Sequence, residues 1–80
     1  MKKEEVIYKA ISEILNVSIN RLKKTKNFYS IKQWDSLNHL NILIKLDTMF
    51  NNKVSPIKKM AKADSVKKII KLLRANNLIS

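Results

Sequence analysis

A run of three residues near the middle of the chain could support attachment chemistry. Ser36 carries a hydroxyl that can form an ester, and it follows Asp35, a residue type that favours the N-cap of a helix. A long apolar-periodic run begins at Leu37, so we expect Ser36 to lie in the first turn of a helix. A phosphate ester on Ser36 would then face the positive end of the helix dipole, which favours negative charge.

A second possibility is nucleophilic catalysis, because His39 lies one turn beyond Ser36 and Asp35 or Asp47 could complete a triad. We do not favour it, since the sequence has no glycine-rich turn or oxyanion loop and 80 residues leave no room for a substrate cavity beside the core. An autonomous enzyme is therefore not expected, and His39 is expected on the surface near Ser36. One histidine, no cysteine and scattered carboxylates also predict no metal site.

Two amphipathic helices are predicted in the first two thirds of the chain. Apolar residues at helical spacing place the first over about residues 3–15 and the second over about residues 36–50. The broad apolar face of the second helix should make it the central helix of the fold. The apolar positions are, in the first helix, Val6, Ile7, Ala10, Ile11, Ile14 and Leu15, and in the second, Leu37, Leu40, Leu43, Ile44, Leu46 and Phe50.

Two further helices are predicted after the break at residues 51–53. Ser55 and Pro56 are typical of an N-cap and a first helical position, and they predict a short third helix over about residues 56–61. Asp64 is the expected N-cap of a fourth helix, whose apolar repeat stops at residues 76–77.

The segment between the first two helices, residues 16–34, has no periodicity but contains scattered apolar side chains. We expect this long loop to be pinned to the core, with Trp34 and Phe28 as anchors and a short helical turn around residues 19–22. No strand alternation or repeat competes with this interpretation. The sequence therefore predicts a small all-α four-helix bundle forming one domain over residues 1–80, with a long first loop and a short third helix.

The chain carries 17 basic and 6 acidic residues, a net charge of +11, with the excess concentrated in residues 21–34 and 51–80. Two explanations stay open. The charge could serve an anionic partner, or it could follow from a general composition rich in lysine, isoleucine and asparagine.

One alternative hypothesis is a nucleic-acid-binding module that contacts phosphates through the basic side chains Lys23, Lys24 and Lys26 and a stripe on the fourth helix formed by Lys67, Lys68, Lys71 and Arg74. It is less favoured, because the most regular helix is nearly neutral. A second alternative is a protein-interaction bundle that is never modified.

The sequence also indicates where the protein works. No apolar run approaches the ~18 residues of a membrane span, and the N-terminal residues lack the apolar stretch of a signal peptide. The absence of cysteine fits a reducing compartment. We therefore expect a soluble, cytoplasmic monomer.

The order of these features resembles the acyl carrier proteins. The resemblance is strongest at Asp35-Ser36-Leu37, which stands at the start of a central amphipathic helix. A long pinned loop precedes this helix, and a short helix and a final helix follow it. The resemblance covers nearly the whole chain. Supporting positions are Leu40, Leu46, Asp47, Phe50, Val54, Ser55, Pro56, Val66, Ile69 and Ile70.

The resemblance implies that Ser36, flanked by Asp35 and Leu37, receives 4′-phosphopantetheine from coenzyme A through a phosphopantetheinyl transferase. The thiol of that arm would carry an acyl or aminoacyl thioester, partly sheltered between the second and third helices. The implied partners are an acyl-loading ligase or synthase and an acyl-using transferase or condensing enzyme, as in fatty acid or polyketide biosynthesis. The identity of the cargo stays open.

Docking is the point at which this sequence departs from the family. The family's second helix typically presents an acidic face to basic partners, whereas this chain has Asn38 and Asn41 at the matching positions. Together with Leu37, Leu40 and Asp47, these residues form the predicted docking face. A basic carrier repels basic partners, so we expect dedicated partners with less basic or acidic docking surfaces.

Overall fold

The computed structural model describes residues 3–24 and 31–79, and every regular element in this part of the chain is a helix. The elements, in chain order, are α1 (Lys3–Leu15), α2 (Ile19–Lys24), α3 (Ser36–Met49), a 3-10 helix (Lys58–Lys62) and α4 (Val66–Ala75). The helix α1 packs against all three other α-helices, and the 3-10 helix packs against α3 and α4. The predicted all-helical bundle is therefore confirmed.

A single cluster of apolar side chains forms the core, and each of the five helical elements contributes to it. The predicted apolar face of α1 is confirmed except at Val6, which is exposed, and Ile14, which is half-buried. Burying side chains of this size is the main favourable contribution to folding. The largest fully buried side chains are Ile7, Ile11, Leu15, Ile31, Ile42, Leu46, Met60, Ile69, Leu73 and Val54.

In its described parts, residues 16–24 and 31–34, the long first loop is fixed to this core, as the scattered apolar residues predict. It contains α2, which extends two residues beyond the expected helical turn. Leu22 of α2 is buried, and so are Val17, Ile31 and Trp34 on either side of it. Trp34 is therefore a core anchor of this loop. Phe28, the other predicted anchor, lies outside the described residues.

The helix α3 is rotated relative to the prediction. Three residues of the predicted apolar face, Leu37, Leu40 and Ile44, are 68%, 53% and 56% exposed. Leu37 and Leu40 also belong to the predicted docking face, which requires exposure, whereas Ile44 is predicted only for the core. The sequence of α3 is apolar on more than one side, so helical periodicity alone could not select the buried side. The side chains of α3 that are buried are those of His39, Ile42 and Leu46.

The third helix starts later than predicted and has the 3-10 form. Ser55 and Pro56 do not cap it; they lie in a turn closed by a hydrogen bond from Ile57 N to Val54 O (2.9 Å). Ile57 occupies the N-cap position without a side-chain cap. Asp47 holds the start of this turn, because its Oδ1 accepts hydrogen bonds from the backbone N–H groups of Val54 (3.0 Å) and Ser55 (2.8 Å).

The N-cap of α4 is one residue later than predicted. The Ser65 hydroxyl, not Asp64, accepts the hydrogen bond from Lys68 N (3.1 Å). Asp64 instead accepts from the Lys68 ammonium at 2.8 Å, and this hydrogen bond lowers the pKa of the Asp64 carboxyl below its usual 3.8. Ser65 is nearly fully buried, and a buried hydroxyl needs such a partner.

Three of the α-helices are followed, within two residues of their last residue, by an asparagine in the left-handed conformation. Asn16, Asn51 and Asn77 have φ angles of 57°, 56° and 60°. Glycine usually takes this position because it has no Cβ, and the chain contains no glycine. Asparagine is the next most tolerant residue type. The hydrogen bonds that close these helix ends run from Val17 N to Ser12 O (3.2 Å), from Asn52 N to Asp47 O (2.7 Å) and from Leu78 N to Leu73 O (2.9 Å).

Candidate functional site

Ser36 lies where the sequence places it, as the first residue of α3, and it is exposed to solvent. Asp35 is the N-cap, with an extended backbone and a carboxylate oxygen that accepts a hydrogen bond from Asn38 N (2.8 Å). The cap satisfies one of the free N–H groups of the first turn, and the remainder stay available around the serine. The hydroxyl is thus presented at the positive end of a 14-residue helix.

A buried histidine joins this helix start to two other segments. The indole N–H of Trp34 donates to His39 Nδ1 (3.0 Å), and the rings lie at a centroid distance of 6.0 Å. On its other side, His39 Nε2 lies 2.8 Å from the carbonyl oxygen of Met60 in the 3-10 helix. An indole N–H can only donate and a carbonyl can only accept, so the His39 proton must be on Nε2.

The expectation of an exposed His39 is therefore wrong: the side chain is 6% exposed. Burial is tolerated because both ring nitrogens have a partner, and an unpaired buried polar group would be destabilising. Since Nδ1 accepts from Trp34 and Nε2 donates to Met60, neither nitrogen is placed to take a proton from Ser36. His39 positions the start of α3 and does not activate the serine.

A shallow groove of about 310 Å³ opens beside the serine, between α3 and the 3-10 helix. Ser36 lines this groove together with His39, Leu40, Leu43 and Ala61. Most of this lining is apolar, and the volume is at the lower end of the range for small-molecule sites, roughly 300–1,000 Å³. The groove can therefore cover part of an apolar group held close to the Ser36 hydroxyl.

The predicted docking residues lie mostly on one exposed face of α3. Leu37, Leu40 and Asn41 are exposed there, and Ile44 extends the same face by one turn. Asn38 is half-buried, since its side-chain amide donates to the carbonyl of Gln33 at 2.6 Å. The outer surface of α3 beside Ser36 is consequently apolar and amide-rich.

Asp47 differs from the other predicted docking residues. It lies near the opposite end of α3 from Ser36, is half-buried, and uses its carboxylate to hold the turn that leads to the 3-10 helix. The negative charge of Asp47 therefore stabilises a turn within the protein.

Three residues near the site were not singled out by sequence reasoning. Met60 and Ala61 lie within the predicted third helix, but no pattern in the sequence indicates that this helix borders Ser36. Ile44 was assigned to the core. A signal for its exposure exists in retrospect: Leu37, Leu40 and Ile44 repeat at three and four residues, which defines an apolar stripe separate from the buried one.

The basic residues of the nucleic-acid alternative are partly engaged within the bundle. Lys23 forms an ion pair with Glu5 (3.1 Å) and lies 5.5 Å from the centre of the Tyr8 ring. Arg74 pairs with Glu4 on α1. The rest of the α4 stripe, Lys67, Lys68 and Lys71, is exposed, and Lys68 pairs with Asp64 (2.8 Å). Lys26 lies outside the described residues.

Two negative findings hold for residues 3–24 and 31–79. No group of three or more histidine, cysteine, aspartate or glutamate side chains there could hold a metal ion. None of the helices has the length and apolar character that crossing a lipid bilayer requires.

Comparison with models of protein families, with curated proteins and with solved structures gave no match. A function for this chain is therefore inferred from its own residues and geometry.

Proposed function

We propose that this protein is a carrier that holds 4′-phosphopantetheine on Ser36. The observation that carries the proposal is an exposed serine at the first position of α3 that also lines a largely apolar groove. This combination matches the arrangement implied by the resemblance to acyl carrier proteins. When bound, the arm supplies a thiol that holds an acyl or aminoacyl group as a thioester.

The residues around Ser36 fit a phosphodiester on its Oγ. The positive end of α3 and its free N–H groups favour a negative group at this position. Asp35 adds a negative charge nearby, but its carboxylate is partly compensated by the hydrogen bond from Asn38 N. Because Ser36 is exposed and follows the anchored Trp34, a transferase can reach its hydroxyl while the backbone stays fixed.

The groove beside Ser36 fits the expected sheltering of cargo. Leu40, Leu43 and Ala61 provide apolar surface between α3 and the 3-10 helix. A cavity of about 310 Å³ that is open to solvent can cover only part of a long acyl chain. The cargo would accordingly stay accessible to the enzymes that load it and use it.

The proposal also assigns the chemistry to partners: a phosphopantetheinyl transferase, an acyl-loading ligase or synthase, and an acyl-using transferase or condensing enzyme. Leu37 and Leu40 are the side chains most available to contact them, because both are more than half exposed beside the attachment serine. The carrier itself would contribute presentation and partial shelter of the thioester.

The test is intact-mass measurement after incubation with coenzyme A and a broad-specificity phosphopantetheinyl transferase. We expect the wild type to gain the mass of one phosphopantetheinyl group and Ser36→Ala to gain nothing. Ser36→Ala should fold normally, because alanine is well tolerated at a first helical position.

Ser55→Ala is the matched control. Ser55 is exposed and its backbone N–H, not its side chain, binds Asp47, so this variant should be modified as the wild type is. Absence of a mass gain in folded wild-type protein, or an equal gain in Ser36→Ala, would contradict the proposal.

A further inference from the structure

The 3-10 helix borders a second groove, which it forms with α4. This groove has a volume of about 520 Å³ and is larger than the one beside Ser36. Its apolar lining comes from Ala63, Leu72 and Ala75. Ala63 is buried and Leu72 half-buried, so the apolar surface is recessed between the two helices.

Lysines surround this apolar surface on both sides. Lys59 and Lys62 lie on the 3-10 helix and Lys71 on α4, and all three are exposed. Lys68 also lines the groove, but its ammonium group is paired with the carboxylate of Asp64 at 2.8 Å. Within the described residues no ion pair engages Lys59, Lys62 or Lys71. Three positive charges therefore face solvent around the groove.

The acidic residues of the chain are largely committed elsewhere. Glu4 and Glu5 pair with cations across helices, and Asp35 and Asp47 accept hydrogen bonds from backbone N–H groups. Neither the 3-10 helix nor α4 contains an acidic residue, and Asp64 lies in the short connection between them. Charge complementarity for this groove must therefore come from another molecule.

We propose that the groove binds an acidic amphipathic helix of a partner protein, with an apolar anchor seated on Leu72 and carboxylates facing Lys59, Lys62 and Lys71. Laying an apolar helix face into a groove is a common mode of peptide recognition, and the lysine border selects against basic partners. The interaction is independent of any modification of Ser36.

The shape of the groove favours a helix over other anionic partners. None of the residues that line it is aromatic, so it offers no surface on which bases could stack. An anionic membrane would need protruding apolar side chains, whereas Leu72 is recessed. An acidic helix satisfies both the recessed apolar surface and the charges around it.

The position of the groove gives it a consequence for the candidate attachment site. The same 3-10 helix contributes Ala61 to the groove beside Ser36, and it contributes Lys59 and Lys62 to the second groove. A partner held by the lysines would thus lie next to the groove at Ser36. Acyl carrier proteins typically dock through an acidic face of the second helix, which α3 lacks. A basic groove at the 3-10 helix would take over that docking role in this protein.

The test is isothermal titration calorimetry with a synthetic peptide of about 18 residues, since shorter isolated helices are marginal in water. The peptide carries leucines at i, i+4 and i+7 and glutamates on the flanking positions. A scrambled peptide of the same composition, a polyglutamate peptide, a single-stranded DNA oligonucleotide and anionic lipid vesicles serve as the comparison ligands. We expect the amphipathic peptide to bind more tightly than any of these.

Two charge-reversed triple variants test the location. Lys59→Glu/Lys62→Glu/Lys71→Glu should weaken binding by at least about tenfold. The matched variant Lys32→Glu/Lys45→Glu/Lys53→Glu changes the net charge by the same amount at exposed positions that do not line the groove, and it should retain binding. Equal loss in both variants would show binding by net charge alone and overturn the proposal.

The apolar anchor needs its own variants. Leu72→Gln should weaken binding of the amphipathic peptide but not of polyglutamate. Because Leu72 is half-buried, a circular-dichroism melt checks folding, and Ala75→Glu at an exposed groove position blocks the site without altering the core. Stronger binding of DNA, vesicles or the scrambled peptide than of the amphipathic peptide would overturn the proposal.

A last variant separates this inference from the carrier proposal. Ser36→Ala, which cannot be modified, should bind the peptide with unchanged affinity. Absence of a mass gain in the transferase assay would contradict the carrier proposal but not the binding of the peptide. Absence of peptide binding in the titration would contradict the second proposal but not the carrier proposal.

Discussion

The imidazole of His39 connects two parts of the site that are distant in the chain. It accepts from Trp34 before α3 and reaches the carbonyl of Met60 in the 3-10 helix. The segment ahead of Ser36 and the element that borders its groove are thus held by one side chain. Its contribution should be visible as a stability coupling with Trp34.

We expect His39→Leu to lower the free energy of unfolding by about 2–3 kcal/mol, because it leaves a buried indole N–H and a buried carbonyl without this partner. Trp34→Phe removes the donor while keeping an aromatic ring. In urea unfolding, the double variant should lose about 1 kcal/mol less than the sum of the single variants. Strictly additive losses would show that the Trp34–His39 hydrogen bond contributes no coupling.

At the residue scale, the sequence predicted those features that are determined by neighbouring residues in the chain. Asp35 as N-cap and Ser36 as first helical residue follow from residue type and position, and both are confirmed. The burial of His39 could not be predicted in the same way. It depends on a carbonyl 21 residues away being brought within hydrogen-bond distance.

At the scale of elements, the helix ends show how a chain without glycine makes left-handed turns. After α4, Asn77 adopts a φ of 60°, Leu78 N bonds Leu73 O at 2.9 Å, and Asn77 N bonds Arg74 O at 3.0 Å. These two bonds satisfy carbonyls that a helix end otherwise leaves free. The stability of this helix end should therefore depend on which residue type stands at position 77, where the backbone is left-handed.

We expect Asn77→Ala to lower the free energy of unfolding by about 1 kcal/mol, because the alanine Cβ disfavours the left-handed conformation. Asn77→Gly should be at least as stable as the wild type. The control is Asn41→Ala within α3, where alanine should raise stability through its higher helix propensity. Urea unfolding of all three variants checks this order, and equal effects of alanine at both positions would contradict it.

The pair ahead of α4 predicts a dependence on pH. The Lys68 hydrogen bond lowers the pKa of Asp64 in the folded protein, so the charged pair favours folding above the usual carboxyl pKa of 3.8. This contribution is lost as the pH falls through the lowered folded-state pKa. The stability difference between wild type and Asp64→Asn should be constant above about pH 5 and shrink below it. A difference that does not change with pH would contradict this assignment.

The elements show which sequence signals are local enough to be reliable. The predicted first helix is confirmed at both ends, and the second ends within one residue of its predicted end. The third helix was misplaced because residues 54–57 form a turn closed by Ile57 N and Val54 O, and the carboxylate of Asp47 holds the start of that turn. Asp47 lies seven and eight residues before Val54 and Ser55, so no local pattern around Ser55 reveals this contact.

At the scale of the whole molecule, the protein has a net charge of +11, but the surface of α3 carries little charge. Composition predicted the charge, but only the structure shows its arrangement. Asp35 and Asp47 are engaged in hydrogen bonds, while Leu37, Leu40 and Ile44 are exposed. A partner that approaches Ser36 therefore meets apolar surface within a positive field.

If the carrier proposal holds, loading by a transferase with a basic docking surface should speed up with salt. The Debye length falls from about 10 Å at 0.1 M to about 3 Å at 1 M, so repulsion is screened. We expect kcat/KM to rise by at least about twofold over this range. Mass-spectrometric initial rates measure it, and a rate that falls with salt would contradict repulsion between carrier and transferase.

A paired variant tests the same repulsion. Asn41→Glu/Lys45→Glu places negative charge on α3 and should raise the low-salt rate while reducing the salt effect. The matched control Asn20→Glu/Lys24→Glu makes the same charge change at exposed positions of α2 and should have a smaller effect. Similar rates in both variants would show that the repulsion depends on the total charge of the protein and not on charge at α3.

Trp34 also gives this protein an intrinsic optical reporter. It is the only tryptophan in the chain, it is buried, and it lies two residues before Ser36. The ultraviolet emission of an indole moves to longer wavelength when water reaches the ring. Any event that lifts the segment ahead of α3 from the core can therefore be followed in unlabelled protein, at the place where the carrier would be loaded.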